Sequence, residues 1–138
     1  MYQKDYILRM AEMVAKLIAG IMGKIINKDF SSATEELNNI YFDILNEDAS
    51  YFSNIPENEL TNKLLEKHNY THDHLAILAE LFNAEAELRL AQGDMSGSLE
   101  YSRKSIILFE FLDTEQNIYS QERIDKMEAI RNRIESLH

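Results

Sequence analysis

Apolar residues recur at three- and four-residue steps from Tyr6 and Ile7 through Met10, Val14, Leu17 and Ile21 to Ile25. That period predicts a first helix from about Lys4 to about Ile26, and its apolar positions spread well beyond one narrow stripe. Such a helix needs partners on two sides. A second row of small residues, Ala11, Ala15, Ala19, Gly20 and Gly23, suits close helix approach, as in a tight hairpin or a dimer seam. Asn27 to Phe30 breaks the pattern. Ser32-Ala33-Thr34-Glu35 then reads as a capping box for a helix continuing through Leu37, Ile40, Tyr41, Ile44 and Leu45 to about Asn46. Residues 47–54 carry no helical period and read as a loop.

Pro56 suits the first turn of a short linking helix, about 56–67, with Glu57 and Glu59 at its positive end and Leu60, Leu64 and Leu65 buried. Thr71 is placed to cap a fourth helix, which is apolar on two faces: Leu75, Leu78, Phe82 and Ala86 on one, Ile77, Leu81, Ala84 and Leu88 on the other. Gly93 supplies the left-handed corner that ends it, and Asp94 caps the next helix, with Met95, Leu99, Ile106, Phe109 and Leu112 as core candidates. Asp113 to Tyr119 reads as a loop. Ser120 caps a last helix, about 121–137, whose single stripe of Ile124, Met127, Ile130, Ile134 and Leu137 fits a lid with one face in solvent.

The expected fold is therefore all-α, with about six helices in antiparallel hairpins inside one domain spanning residues 1–138. Its halves are about 4–46 and 72–112. Composition supports this: one proline and four glycines leave few breaks, and 45% of residues are hydrophobic, enough for a core in a chain of this size. Cysteine is absent, which excludes disulfides, thiolate metal sites and a thiol nucleophile. A cytoplasmic setting is the expectation. The formal charge of -10 argues against nucleic acid as a partner, because phosphate binding requires a basic patch. No Lys or Arg stands between Lys28 and Lys63, so the acidic charge concentrates in that segment. The longest uncharged run in the first helix, Leu17 to Gly23, is too short for a membrane span, and no membrane partner is expected.

A self-comparison at an offset of 65 residues lays Lys28-Asp29-Phe30-Ser31-Ser32 over Gly93-Asp94-Met95-Ser96-Gly97, with Asp and Ser coinciding and Phe30 over Met95. Each copy reads as helix, tight turn, Asp, apolar anchor, helix. The stretch Leu81 to Asp94 resembles a tetratricopeptide repeat: Phe82 stands at the aromatic position of the first repeat helix, Ala86 at its small position and Gly93-Asp94 at the turn. Ser98, Ser102 and Ser105 stand in the second helix. Glu85 and Arg89 depart from the pattern, replacing apolar residues, and Asp113 stands where proline is usual. The chain also resembles a bacterial family of short repeat-like all-helical proteins, from which no activity transfers. The resemblance implies a right-handed stack of hairpins with a C-terminal capping helix, and a groove on the fourth helix faced by Glu80, Asn83, Glu87 and Leu90. Two glutamates there imply a cationic or neutral ligand segment, unless the face is filled by another part of the fold.

Candidate chemistry is sparse. His68, His72, Asp73 and His74 have metal-ligand side chains, and a continuous helix would align His68 with His72; Asn69-Tyr70-Thr71 interrupts it. The serines lack the flanking glycines of a nucleophile elbow, and no phosphate-cradling glycine loop occurs. No metal or cofactor is expected. The sequence thus points to a non-catalytic scaffold that binds a protein partner or itself, with a homodimer formed through Ile7, Val14 and Ile21 of the broad first helix. The alternative is a small metal- or ligand-dependent enzyme built on the His68 to His74 turn.

Overall fold

A computed structural model describes residues 2–67, 70–116 and 120–138, with side chains described over 9–66, 70–116 and 120–138. Its elements are α1 (Tyr2–Ile26), α2 (Phe30–Leu45), α3 (Ala49–Ser53), α4 (Leu60–Asn62), α5 (His72–Ala91), α6 (Met95–Gln116) and α7 (Gln121–Leu137). A 3-10 turn, Glu57–Glu59, leads into α4, and a π turn, Lys63–Lys67, leaves it. There is no strand among the described residues, so the fold is all-α.

The central element is α5. It packs against α6 most extensively, against α1 on another side and against α2 on a third, which explains why its sequence is apolar around most of its circumference. Its Leu75, Leu78, Leu81, Phe82, Ala84 and Ala86 are fully buried in one continuous core with Ile21, Leu37, Phe52 and Leu112. Burying a ring such as Phe82 contributes about 2–3 kcal/mol. The α5–α6 approach is close enough for serine hydroxyls to cross it: Ser98 Oγ donates to the Ala86 carbonyl and Ser105 Oγ to the Ala79 carbonyl, each at 2.8 Å. Small residues at these positions therefore serve packing and hydrogen bonding together.

The turns before α2 and α6 share one hydrogen-bond scheme at the 65-residue offset. Lys28 N donates to Ile25 O and Asp29 N to Lys24 O; Gly93 N donates to Leu90 O and Asp94 N to Arg89 O. Asp29 then accepts from Ser32 N at 3.4 Å, and Asp94 from Gly97 N at 2.9 Å. The internal repeat is thus a repeat of geometry.

Several expectations are corrected. Asp29, and not Ser32, caps α2, because the left-handed Lys28 lets the chain enter the helix earlier. Residues 47–54 include the five-residue α3, too short to show a period, whose Phe52 is fully buried and stacks on Tyr41 with ring centroids 5.6 Å apart. The α6 helix continues past Asp113 to Gln116, while residues 117–119 lie outside the described residues. Met95 is 51% exposed and not core. Thr71, by contrast, does cap α5, in a reciprocal box with His74, and Ser120 caps α7.

The serine positions of α6 and the long-range anchors of the short elements complete the frame. Lys104 is 2% exposed, and its ammonium donates to the Ser53 carbonyl at 2.7 Å and the Phe52 carbonyl at 3.3 Å, satisfying the C-terminal end of α3. Tyr70 donates to the Leu45 carbonyl at 2.6 Å and ties the start of α5 to the end of α2.

Candidate functional site

Three of the four residues expected to face a groove are engaged by the chain's own last helix. Lys126 of α7 pairs with Glu80 at 2.6 Å, and Arg133 donates to Asn83 Oδ1 at 2.6 Å, to Glu87 and, through Nε, to Ser102 at 2.8 Å. Leu90 is half-buried. The cations that two glutamates on α5 call for are thus supplied from within the chain, by long side chains of α7, and a small recess of about 190 Å³ between Glu80, Phe109, Arg123 and Lys126 stays open beside them. Met127 and Ile130 bury beneath α7, while Ile124 stays 39% exposed, so the lid's stripe is narrower than its pattern implied.

Val14 and Ile21 lie in the chain's own core, 2% and 0% exposed, with α1 laid on α5. They are buried within the single chain, in the core where α1 packs against α5 and α2. The Ile7 side chain lies outside the described residues. Gly20 and Gly23 have nothing within 4 Å of where a side chain would begin, so these two glycines of the small-residue row serve no close approach, while Ala11 packs against the core. Among the described residues of α1, Met13, Leu17 and Ile26 are exposed large apolar side chains.

The histidines divide between caps and packing. His74 Nδ1 accepts from Thr71 N at 3.1 Å and its ring stacks on Tyr70 at 4.9 Å; burial lowers its pKa, opposed by Asp73. His72 meets the edge of Phe111, and His68 lies outside the described residues. Among the described residues no group of three His, Cys, Asp or Glu side chains is placed to hold a metal ion. No described helix is long and apolar enough to cross a membrane.

The most developed polar site is a recess of about 390 Å³ where α2 and α3 meet α5 and α6. Glu85 and Arg89, one helical turn apart on α5, line it with Tyr101, Ser50, Asn38 and Gln92. Glu85 is 5% exposed, and its carboxylate meets Arg89 Nε at 3.5 Å. Arg89 also donates to Asp94 at 3.2 Å and lies 5.5 Å from the centre of the Tyr101 ring. Burial pushes the Glu85 carboxyl pKa up, and the adjacent Arg89 only partly restores it. Tyr41 lies 1% exposed in the same cluster, and its hydroxyl has no hydrogen-bond partner among the described residues. Its pKa is raised, first by burial and then by the charge of Glu85. A buried hydroxyl without a partner costs about 1–3 kcal/mol.

The recess continues outward. A shallower depression of about 500 Å³ shares Thr34, Asn38 and Gln92 with it and adds Ser31, Glu35 and Asn39 along α2. Together they form a trough of hydroxyls, amides and carboxylates. The sequence contained one sign of this site: Glu85 and Arg89 stand out as a charged pair, four residues apart, on a helix otherwise apolar at those positions. Tyr41 and Tyr101 gave none, because a tyrosine in an apolar pattern reads as core.

Comparison with protein-family models, with curated proteins and with solved structures finds no match to this chain.

Proposed function

We propose that this chain is a non-catalytic interaction module of the cytoplasm, tetratricopeptide-like in its hairpins, that holds a segment of a protein partner in the trough beside Glu85 and Arg89. The observation that carries this is the recess itself: a buried carboxylate, a guanidinium and the amides and hydroxyl of Asn38, Gln92 and Ser50 converge there, away from the residues that α7 engages. The trough's length along α2 suits an extended segment better than a compact substrate. Its hydroxyl, amide and charged side chains are of the kinds that bind and orient a polar segment. Self-association is the second form of the same function. It is supported by Met13 and Leu17, 43% and 41% exposed one turn apart on α1, next to the buried Val14.

The test is site-specific crosslinking in the native cell, with a photoreactive residue at Gln92 on the rim of the trough and, as control, at exposed Glu135 on α7. One discrete partner trapped from Gln92 and not from Glu135 is the expected result; a second copy of the chain trapped from Leu17 supports the homodimer. A strict monomer by light scattering, with nothing trapped from either Gln92 or Leu17, overturns both forms.

A further inference from the structure

We infer that the recess at Glu85 binds a primary alkylammonium group, which a partner segment presents as a lysine side chain. This deepens the function proposed above and rests on it for the source of the amine, though not for the chemistry of the site.

Charge is the first ground. Glu85 and Asp94 are two carboxylates sharing the single guanidinium of Arg89, so the cluster keeps a net negative charge. Glu35 adds another along the trough, and the chain as a whole is at -10, a field that draws cations. Geometry is the second. Arg89 meets the buried Glu85 carboxylate through Nε at 3.5 Å while its Nη1 donates to Asp94, so one guanidinium is divided between two carboxylates. Ser50 and Asn38 line the same recess and add a hydroxyl and an amide oxygen to it.

An ammonium fits this set better than a second guanidinium. It is a compact point charge with three donors that turn freely, so it can meet a carboxylate, a hydroxyl and an amide oxygen together. A planar guanidinium gains most from stacking, and Arg89 already lies over the Tyr101 ring. A volume of about 390 Å³ accommodates a four-carbon stem and its head group.

The experiment titrates the full chain, labelled for amide NMR, with n-butylammonium, with a blocked Ala-Lys-Ala peptide, with methylguanidinium and with butyrate. Saturable shifts at Gln92, Asp94 and Tyr101 with butylammonium, weaker with methylguanidinium and absent with butyrate, are expected. Glu85→Gln, nearly isosteric, should weaken amine binding at least about 10-fold, and Ser50→Ala about 3-fold, in line with the loss of a charged and a neutral hydrogen bond. No amine-dependent shift, equal response to butyrate, or unchanged affinity in Glu85→Gln overturns the assignment. The two amine arms separate the sources. Butylammonium binding without a response to the lysine peptide, and without a crosslinked partner at Gln92, keeps the ammonium site and removes the interaction module. A crosslinked partner with no amine response does the reverse.

Discussion

Lys28 and Gly93 occupy the same left-handed corner of two turns 65 positions apart, with φ of 64° and 84°. The backbone scheme on either side is the same, yet only one copy has the residue that adopts this conformation without steric cost. Lys28→Gly should therefore stabilise the fold by about 0.5–1 kcal/mol, and Gly93→Ala should destabilise it by about 1 kcal/mol. Gly23→Ala, inside α1 with no neighbour to strike, should stabilise by up to about 1 kcal/mol. Urea unfolding of the three variants checks the signs. A stabilising Gly93→Ala would contradict the shared corner.

Arg133 reaches Asn83, Glu87 and Ser102 from a side chain only 9% exposed. Burial lowers its pKa, and the Glu87 carboxylate opposes that shift. Arg133→Ala should cost about 2 kcal/mol, less than a fully buried pair because Glu87 is 40% exposed. Arg133→Lys should recover less than half, since one ammonium cannot reproduce a planar fork touching three partners. Chemical denaturation gives both numbers, and hydrogen exchange on α7 should rise in the alanine variant before the α5 core opens. Equal stability of the lysine variant and the native chain would show that charge alone holds α7.

Lys104→Met keeps the apolar stem and removes the ammonium. The Phe52 and Ser53 carbonyls lose their donor. The expected loss is about 2 kcal/mol, with faster exchange confined to α3 and its flanks. A neutral result would mean that solvent replaces the lysine there.

The raised pKa of Glu85 fixes a pH signature. Its carboxyl binds a proton more readily folded than unfolded, so between its ordinary value of 4.5 and the raised folded value the native state holds the extra proton. Stability contributed at this site therefore rises as pH falls through that window and is lost as pH rises above the folded value. The native chain should gain Tm relative to Glu85→Gln on going from about pH 8 down to about pH 5, whatever the exposed carboxylates do to both. Parallel melting curves for the two proteins across that range would contradict it.

Local chemistry made much of this protein legible in its sequence. The period of α1, α2, α5 and α7, the caps at Thr71 and Ser120 and the corner at Gly93 all depend on residues within one or two turns of each other. So does the repeat, whose Asp29 and Asp94 each cap the helix that follows. The exclusion of thiol chemistry followed from composition alone. Short elements escaped: α3 has five residues, fewer than two helical turns, and it forms because Phe52 finds Tyr41 and Phe82 while Lys104 finds its carbonyls.

Tertiary structure alone decided which surfaces are covered. An apolar stripe states that a face must be buried, and a pair of glutamates that a cation is favoured there; neither names the partner, because hydrophobic burial is non-directional and charge pairing acts through space. Val14 and Ile21 could have been left at a surface or packed into the chain's own core, and they lie in that core. Glu80 and Glu87 could have met a ligand, and they meet Lys126 and Arg133. The same packing left Tyr41 buried with no hydrogen-bond partner for its hydroxyl among the described residues and Glu85 buried beside Arg89, a condition that exists only once the helices close around them.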